Sequence, residues 1–220
     1  MKKKLFNLLV LMLPFVIKAQ ETEKNFQLGF TASPNIGWAR FNDAPSTFAS
    51  KSSKIGFSYG LIGDFGFARN YFFSTGFAIT SINAKTEENG AFTEGSTSIT
   101  RSYDIQYIEV PLTIKLKTNT VAEKSFYGQF GLSTAFNIRA KSDVKTRTAT
   151  VVTDDLKNQS LDNDNKVRLG LVAGAGVQWD YNENSKFITG VTFNNGFTDV
   201  LSKRPSIRNS YLALTLGVLF

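Results

Sequence analysis

Four charged residues stand where charge is costly. Glu109 and Lys115 belong to the segment Tyr107-Ile-Glu-Val-Pro-Leu-Thr-Ile-Lys115, in which apolar residues alternate with non-apolar ones. Both fall on the non-apolar parity, as do Asp64 and Arg168 in two other alternating runs. An unpaired charge in an enclosed space is expensive. If this parity faces the inside of a closed sheet, Asp64, Glu109, Lys115 and Arg168 are expected to form an internal ion-pair network. Spacing does not say which pairs with which.

Other constellations point away from catalysis. The chain has no His and no Cys, which removes the usual general base, the commonest metal ligand and the thiolate nucleophile. The neighbouring carboxylates Glu87 and Glu88, or Asp154 and Asp155, would point to opposite faces of a strand or be solvated in a loop. No enzyme activity, metal or cofactor is expected. Gly170, Gly174 and Gly176 resemble a phosphate loop only superficially, because they share one strand parity and no helical pattern follows. Asp162-Asn-Asp164-Asn resembles the opening of a calcium loop but lacks the glycine and the distal glutamate.

The elements that must position these groups are strands. Period-two alternation recurs in eight runs. Phe26, Leu28 and Phe30 oppose Gln27, Gly29 and Thr31 in the first; Ile55, Phe57, Tyr59, Leu61, Phe65 and Phe67 oppose Gly56, Ser58, Gly60 and Asp64 in the second. Tyr71, Phe73, Phe77 and Ile79 form the third apolar face, Ile108 to Leu116 the fourth, and Phe126 to Ile138 the fifth. Val167 to Trp179, Phe187 to Phe193 and Leu212 to Phe220 complete the set. The opposite parity is mostly Gly, Ser, Ala and Thr, which suits the crowded interior of a narrow barrel. The apolar parity, rich in the chain's 20 Phe, would then meet lipid. The pattern predicts an all-β fold: an eight-stranded antiparallel up-and-down transmembrane β-barrel.

The links alternate in length. Residues 68–70, 118–124 and 180–185 are short, whereas 39–54, 86–100, 139–166 and 198–208 are longer and polar. That asymmetry predicts short periplasmic turns and longer external loops. Trp38, Phe65, Phe67, Tyr71, Phe72, Trp179 and Phe187 lie near strand ends, as an interfacial aromatic girdle requires. Pro111, which removes a ladder donor, predicts a bulge or break in mid-strand.

Residues 1–19 read as a signal peptide. Lys2, Lys3 and Lys4 precede the apolar run Leu8–Leu13 and the small exit residue Ala19. The four lysines of this segment carry +4 of the net +7, leaving +3 on residues 20–220. So mild a charge, with basic and acidic residues interspersed, gives no support for nucleic-acid binding. One barrel domain is expected over 20–220, exported to a bacterial outer membrane. Within the 139–166 link, Arg139, Lys141, Lys145 and Arg147 precede Asp154 and Asp155. The basic half is a candidate for lipopolysaccharide phosphates.

The Tyr107–Lys115 segment, in a small barrel behind a signal ending Ala19-Gln20, resembles the PorT-like outer-membrane β-barrel family of Bacteroidetes. The resemblance implies an eight-stranded outer-membrane barrel without known catalysis and a link to type IX protein secretion. Phe220 resembles the terminal residue read by the barrel-assembly machinery. The function expected is a structural or interaction component of the envelope, engaging outer-membrane lipid, lipopolysaccharide and an envelope protein partner. The alternatives are a small passive pore or transporter and a soluble lipocalin-like ligand-binding barrel.

Overall fold

A computed structural model describes residues 26–42, 47–91, 96–148, 151–161, 165–182, 184–200 and 206–220. The signal-peptide segment and Asp162 and Asp164 of the calcium-like run lie outside these residues. Among the described residues nine strands occur in chain order: β1 (Phe26–Asn42), β2 (Phe48–Ala68), β3 (Tyr71–Ala91), β4 (Ser96–Lys117), β5 (Lys124–Thr148), β6 (Val151–Ser160), β7 (Val167–Asp180), β8 (Lys186–Gly196) and β9 (Ser206–Leu219). Eight of them close a ring, β1-β2-β3-β4-β5-β7-β8-β9, with β9 returning to β1. Every pairing in the ring is antiparallel. Among the described residues the ninth, β6, pairs only with β5.

Alternation decides which side of the ring each residue meets. Phe30, Phe57, Phe77, Leu112, Phe130, Leu171, Val191 and Leu214 point outward, and most of this parity is exposed. Gln27, Asn35, Asp64, Thr80, Glu109, Lys115, Ser133, Arg168 and Asn194 point inward and are buried. This arrangement overturns the lipocalin-like alternative, which requires the large apolar parity inside. A greasy outside and a polar inside is the pattern of a barrel whose solvent is lipid.

The polar links are not loops throughout. β2, β3, β4 and β5 run for 21, 21, 22 and 25 residues, about twice the ~9–11 that cross a bilayer. Most of the 139–166 link is a hairpin in which the upper part of β5 pairs with β6, from Lys141↔Ser160 to Thr148↔Val151. The strand-forming Thr, Val and Ile of these segments sustain the ladder beyond the apolar belt. β7, β8 and β9 are shorter, at 14, 11 and 14 residues. Among the described residues the barrel therefore carries a raised wall on one side only.

Pro111 brings a local break and not a bulge: the ladder with β3 skips Val110 and Pro111. β4 keeps one register with β3 on either side of it, from Thr75↔Leu112 to Ala78↔Glu109, and the Thr75 hydroxyl donates to the Pro111 carbonyl at 2.8 Å. The register shift lies elsewhere: Gln106 pairs with Arg139 but Tyr107 with Asn137, so Ile138 is an extra residue on β5.

Candidate functional site

One strand supplies a group to each layer of the lumen. The odd-numbered residues of β4 point inward, so Lys117, Lys115, Thr113, Glu109, Tyr107, Ile105 and Tyr103 ascend from the short-turn end to the raised wall. At the bottom, Lys117 Nζ lies 3.4 Å from both Gln27 Oε1 and Gln178 Oε1. The same ammonium stands 3.7 Å from the centroid of the Phe72 ring. Phe72 pairs directly with the buried Lys115, so it faces the lumen and not the aromatic girdle. Its ring meets the Lys117 ammonium because its parity is even, opposite to its neighbours Tyr71 and Phe73.

The four charged residues form two separate pairs. Lys115 Nζ donates to Asp64 Oδ2 at 2.6 Å, with the Tyr127 ring 5.0 Å from the ammonium. Higher up, Arg168 Nη1 stands 3.8 Å from Glu109 Oε1. That distance is electrostatic contact, not a hydrogen bond. Asparagines do the bonding: Arg168 Nε donates to Asn209 Oδ1 at 2.6 Å and Nη2 to Asn194 Oδ1 at 2.8 Å. Asn194 Nδ2 in turn donates to Glu109 Oε1 at 2.5 Å and to Ser133 Oγ at 2.8 Å, and the Tyr211 hydroxyl donates to Glu109 Oε2 at 2.8 Å. Asn194 thus bridges the two charges, accepting from one and donating to the other. A buried pair offsets its desolvation only with such additional bonds.

Asn194, Asn209 and Tyr211 were not singled out from sequence. Asn194 and Tyr211 already lay on lumen parities, and Asn209 follows the last polar link. Polarity on an inward parity was the available signal.

Glycines make room for these groups. Gly170 and Gly196 face each other across β7 and β8, as do Gly176 and Gly190. A Cβ at Gly196 would stand 3.0 Å from Arg168 Nε, and one at Gly176 would stand 2.7 Å from Tyr127 Cζ. The Gly170–Gly176 run is therefore space for side chains on the lumen face.

Above the Glu109 layer the lumen becomes apolar. Ala39, Ile82, Ala84, Tyr103, Ile105 and Ile207 pack together with Val200. The gap left among them is about 10 Å³, at the limit for one water molecule. Three charged layers, those of Lys117, Lys115–Asp64 and Arg168–Glu109, lie below the apolar layer in the described lumen.

The outer rim carries the candidate anion contacts. The extra residue Ile138 shifts the parity of β5, so Arg139, Lys141, Lys145 and Arg147 leave the lumen parity and share the outward face. Asp104 lies 3.8 Å from Arg139 and pairs in register with Lys141. Lys145 is 3.9 Å from Asp155 of β6. The hairpin lays the acidic half of the link across its basic half, so Lys145 is partly neutralised. At the opposite end, Phe220 is exposed on the lipid face, 6.4 Å edge-on from the Phe30 ring, and its amide donates to the Leu28 carbonyl at 2.7 Å.

The chain is similar to several solved proteins. Neisserial surface protein A is 12% identical over 90% of this chain and 98% of its own, with a TM-score of 0.48. OprG from Pseudomonas aeruginosa is 11% identical over 89% of this chain and 96% of its own, with a TM-score of 0.46. Ail of Yersinia pestis, solved in complex with the heparin analogue sucrose octasulfate, is 14% identical over 89% and 99%, with a TM-score of 0.41. No curated protein matches the chain. Residues 18–202 match the family described as the outer membrane protein beta-barrel domain. The chain belongs to that family, and its place is the bacterial outer membrane.

Proposed function

We propose that this barrel is a non-conducting, non-catalytic component of the envelope that works by interaction, with the raised wall of β2–β5 and β6 as its contact surface. The single observation that carries the reading is the stacking of the lumen, where the buried Asp64–Lys115 and Glu109–Arg168 layers lie beneath the apolar cluster around Ile82 and Tyr103. An eight-stranded ring has little room to begin with. Reconstituted in planar bilayers, the protein is expected to give no stable conductance, and photo-crosslinkers placed in β6 of intact cells are expected to capture one recurrent partner. Steady, reproducible channels in the bilayer would sink this reading in favour of a small-solute pore.

Three finer assignments belong to the same reading. The Tyr107–Lys115 segment supports membership of the PorT-like group of Bacteroidetes and a link to type IX secretion. The test is a deletion strain, in which exported cargo should accumulate in the periplasm; normal secretion removes the link. Phe220, on the lipid face at the end of β9, supports engagement of the barrel-assembly machinery. Arg139, Lys141, Lys145 and Arg147 support contact with lipopolysaccharide.

A further inference from the structure

Two arginines face each other at the top of the barrel's closing seam. Arg40 on β1 and Arg208 on β9 are direct cross-strand partners. Both lie on the outward parity, in step with Trp38 on one strand and Leu212 on the other. Like charges directly opposite on a ladder repel. Asp199 answers one of them, accepting from Arg208 Nε at 2.9 Å. Arg40 is held by an amide instead: its Nη2 donates to Asn195 Oδ1 on β8. Because β9 lies between β1 and β8, Arg40 reaches across the strand that carries Arg208. The buried Ser210 hydroxyl donates to the same Asn195 oxygen at 3.0 Å and fixes that acceptor in place.

The height of this pair is a second, independent feature. The outward residues of β1 are apolar from Phe26 to Trp38, and Arg40 is the next one up. From Phe26 to Trp38 the strand rises about 40 Å along its axis and, at a tilt of ~45°, about 28 Å across a bilayer. That matches the ~25–30 Å apolar band of a membrane barrel. The rings of Trp38 and Phe193, stacked at 6.1 Å and 10°, close the belt beneath the arginines. Arg40 and Arg208 therefore stand at the headgroup level, on the lipid-facing side, at the end that carries the longer links. A guanidinium offers five donors in a planar fork that matches phosphate, and the Asp199 bond uses one of those on Arg208. A phosphate placed between the two forks replaces their mutual repulsion with two charge-assisted contacts.

We propose that the top of the β1–β9 seam binds a phosphate of an outer-leaflet glycolipid, the phosphorylated glucosamine headgroup of lipopolysaccharide, between Arg40 and Arg208. This seat lies across the ring from the β5 cations put forward above, with β2, β3 and β4 between them, and it stands or falls separately from them.

The test uses the full barrel in nanodiscs with EDTA present, so that divalent cations do not mediate binding. Native mass spectrometry reads the retention of bisphosphorylated lipid A, dephosphorylated lipid A and phosphatidylglycerol, with inorganic phosphate as competitor. Bisphosphorylated lipid A is expected to be retained best, and the Arg40→Gln/Arg208→Gln variant to lose at least about tenfold in affinity. Arg69→Gln, in the β2–β3 turn at the opposite end, should bind as wild type. Heat-dependent gel mobility confirms that each variant is folded. The single Arg40→Gln change, which leaves the Arg208–Asp199 pair intact, keeps the test available if the double variant is not. Equal retention of dephosphorylated lipid A or of phosphatidylglycerol overturns the proposal, as does inorganic phosphate competing at the same concentration as the lipid. Loss confined to a variant with Arg139, Lys141, Lys145 and Arg147 all changed to Gln overturns the seam site while sparing the β5 contact. Binding unchanged in every variant removes both.

Discussion

Lys115 on β4 and Asp64 on β2 meet at 2.6 Å inside the lumen, across the intervening strand β3, with both side chains buried. The bond ties together strands that share no backbone ladder. Removing one partner leaves the other charged and buried, which costs about 3–5 kcal/mol. Lys115→Met and Asp64→Leu should each lower stability by that amount, whereas the double substitution should recover most of the loss. Urea unfolding from lipid vesicles, followed through Trp38 and Trp179, measures it. Single variants as stable as wild type would show that the pair contributes nothing.

Glycines on opposite faces of the sheet should respond differently to one methyl group. A Cβ at Gly128 meets nothing within 4 Å, whereas one at Gly170 overlaps Asn194 Oδ1 and comes within 3.2 Å of Arg168 Nη1. Gly128→Ala should change stability by no more than about 0.5 kcal/mol. Gly170→Ala should cost about 1–3 kcal/mol by overpacking the lumen. The same urea titration compares them, and equal values would contradict the packing described.

The lipid face predicts its own penalty. Leu132 lies near the middle of the apolar belt of β5, between Phe126 and Ile138, and is exposed. Leu132→Arg should destabilise the folded barrel by about 2–4 kcal/mol, the cost of arginine near a bilayer midplane. A neutral outcome would mean that this face is not in lipid.

The upper hairpin is dispensable for closure. Among the described residues β6 pairs only with β5, while the ring closes through β4–β5, β5–β7 and β1–β9. The exposed Lys145–Asp155 pair adds about 0–1 kcal/mol. Replacing residues 144–156 with a two-residue turn should leave heat-dependent gel mobility and membrane insertion unchanged. Failure to insert would assign the hairpin a folding role that its pairing does not suggest.

The ring was legible in the sequence because a buried or lipid-facing strand must commit every second residue to one side. Phe57, Phe130 and Leu214 gave the outward face, and Asp64, Glu109, Lys115 and Arg168 the inward one. Two features escaped that logic. Phe72 is large and apolar yet faces in, because Lys117 supplies a cation above its ring. The extra residue at Ile138 reverses parity without a glycine or proline to mark it, so the outward stripe from Arg139 to Arg147 could not be assigned a side. The division of four charges into two pairs depends on strand stagger, which alternation does not encode. Asn194 enters only once β8 is known to lie beside β7.

The seam between β1 and β9 has a kinetic consequence. Its ladder joins Gly29 to Leu219 at one end and Asn42 to Ser206 at the other, the most sequence-distant pairings in the sheet. Closing so long a loop pays its entropy before any bond rewards it. Until β9 arrives, β1 presents a row of unpaired amides and carbonyls that hydrocarbon cannot satisfy. The sheet therefore has no comfortable halfway state in the bilayer. Folding should be slow and nearly all-or-none, with the joining of β1 to β9 as its committing event.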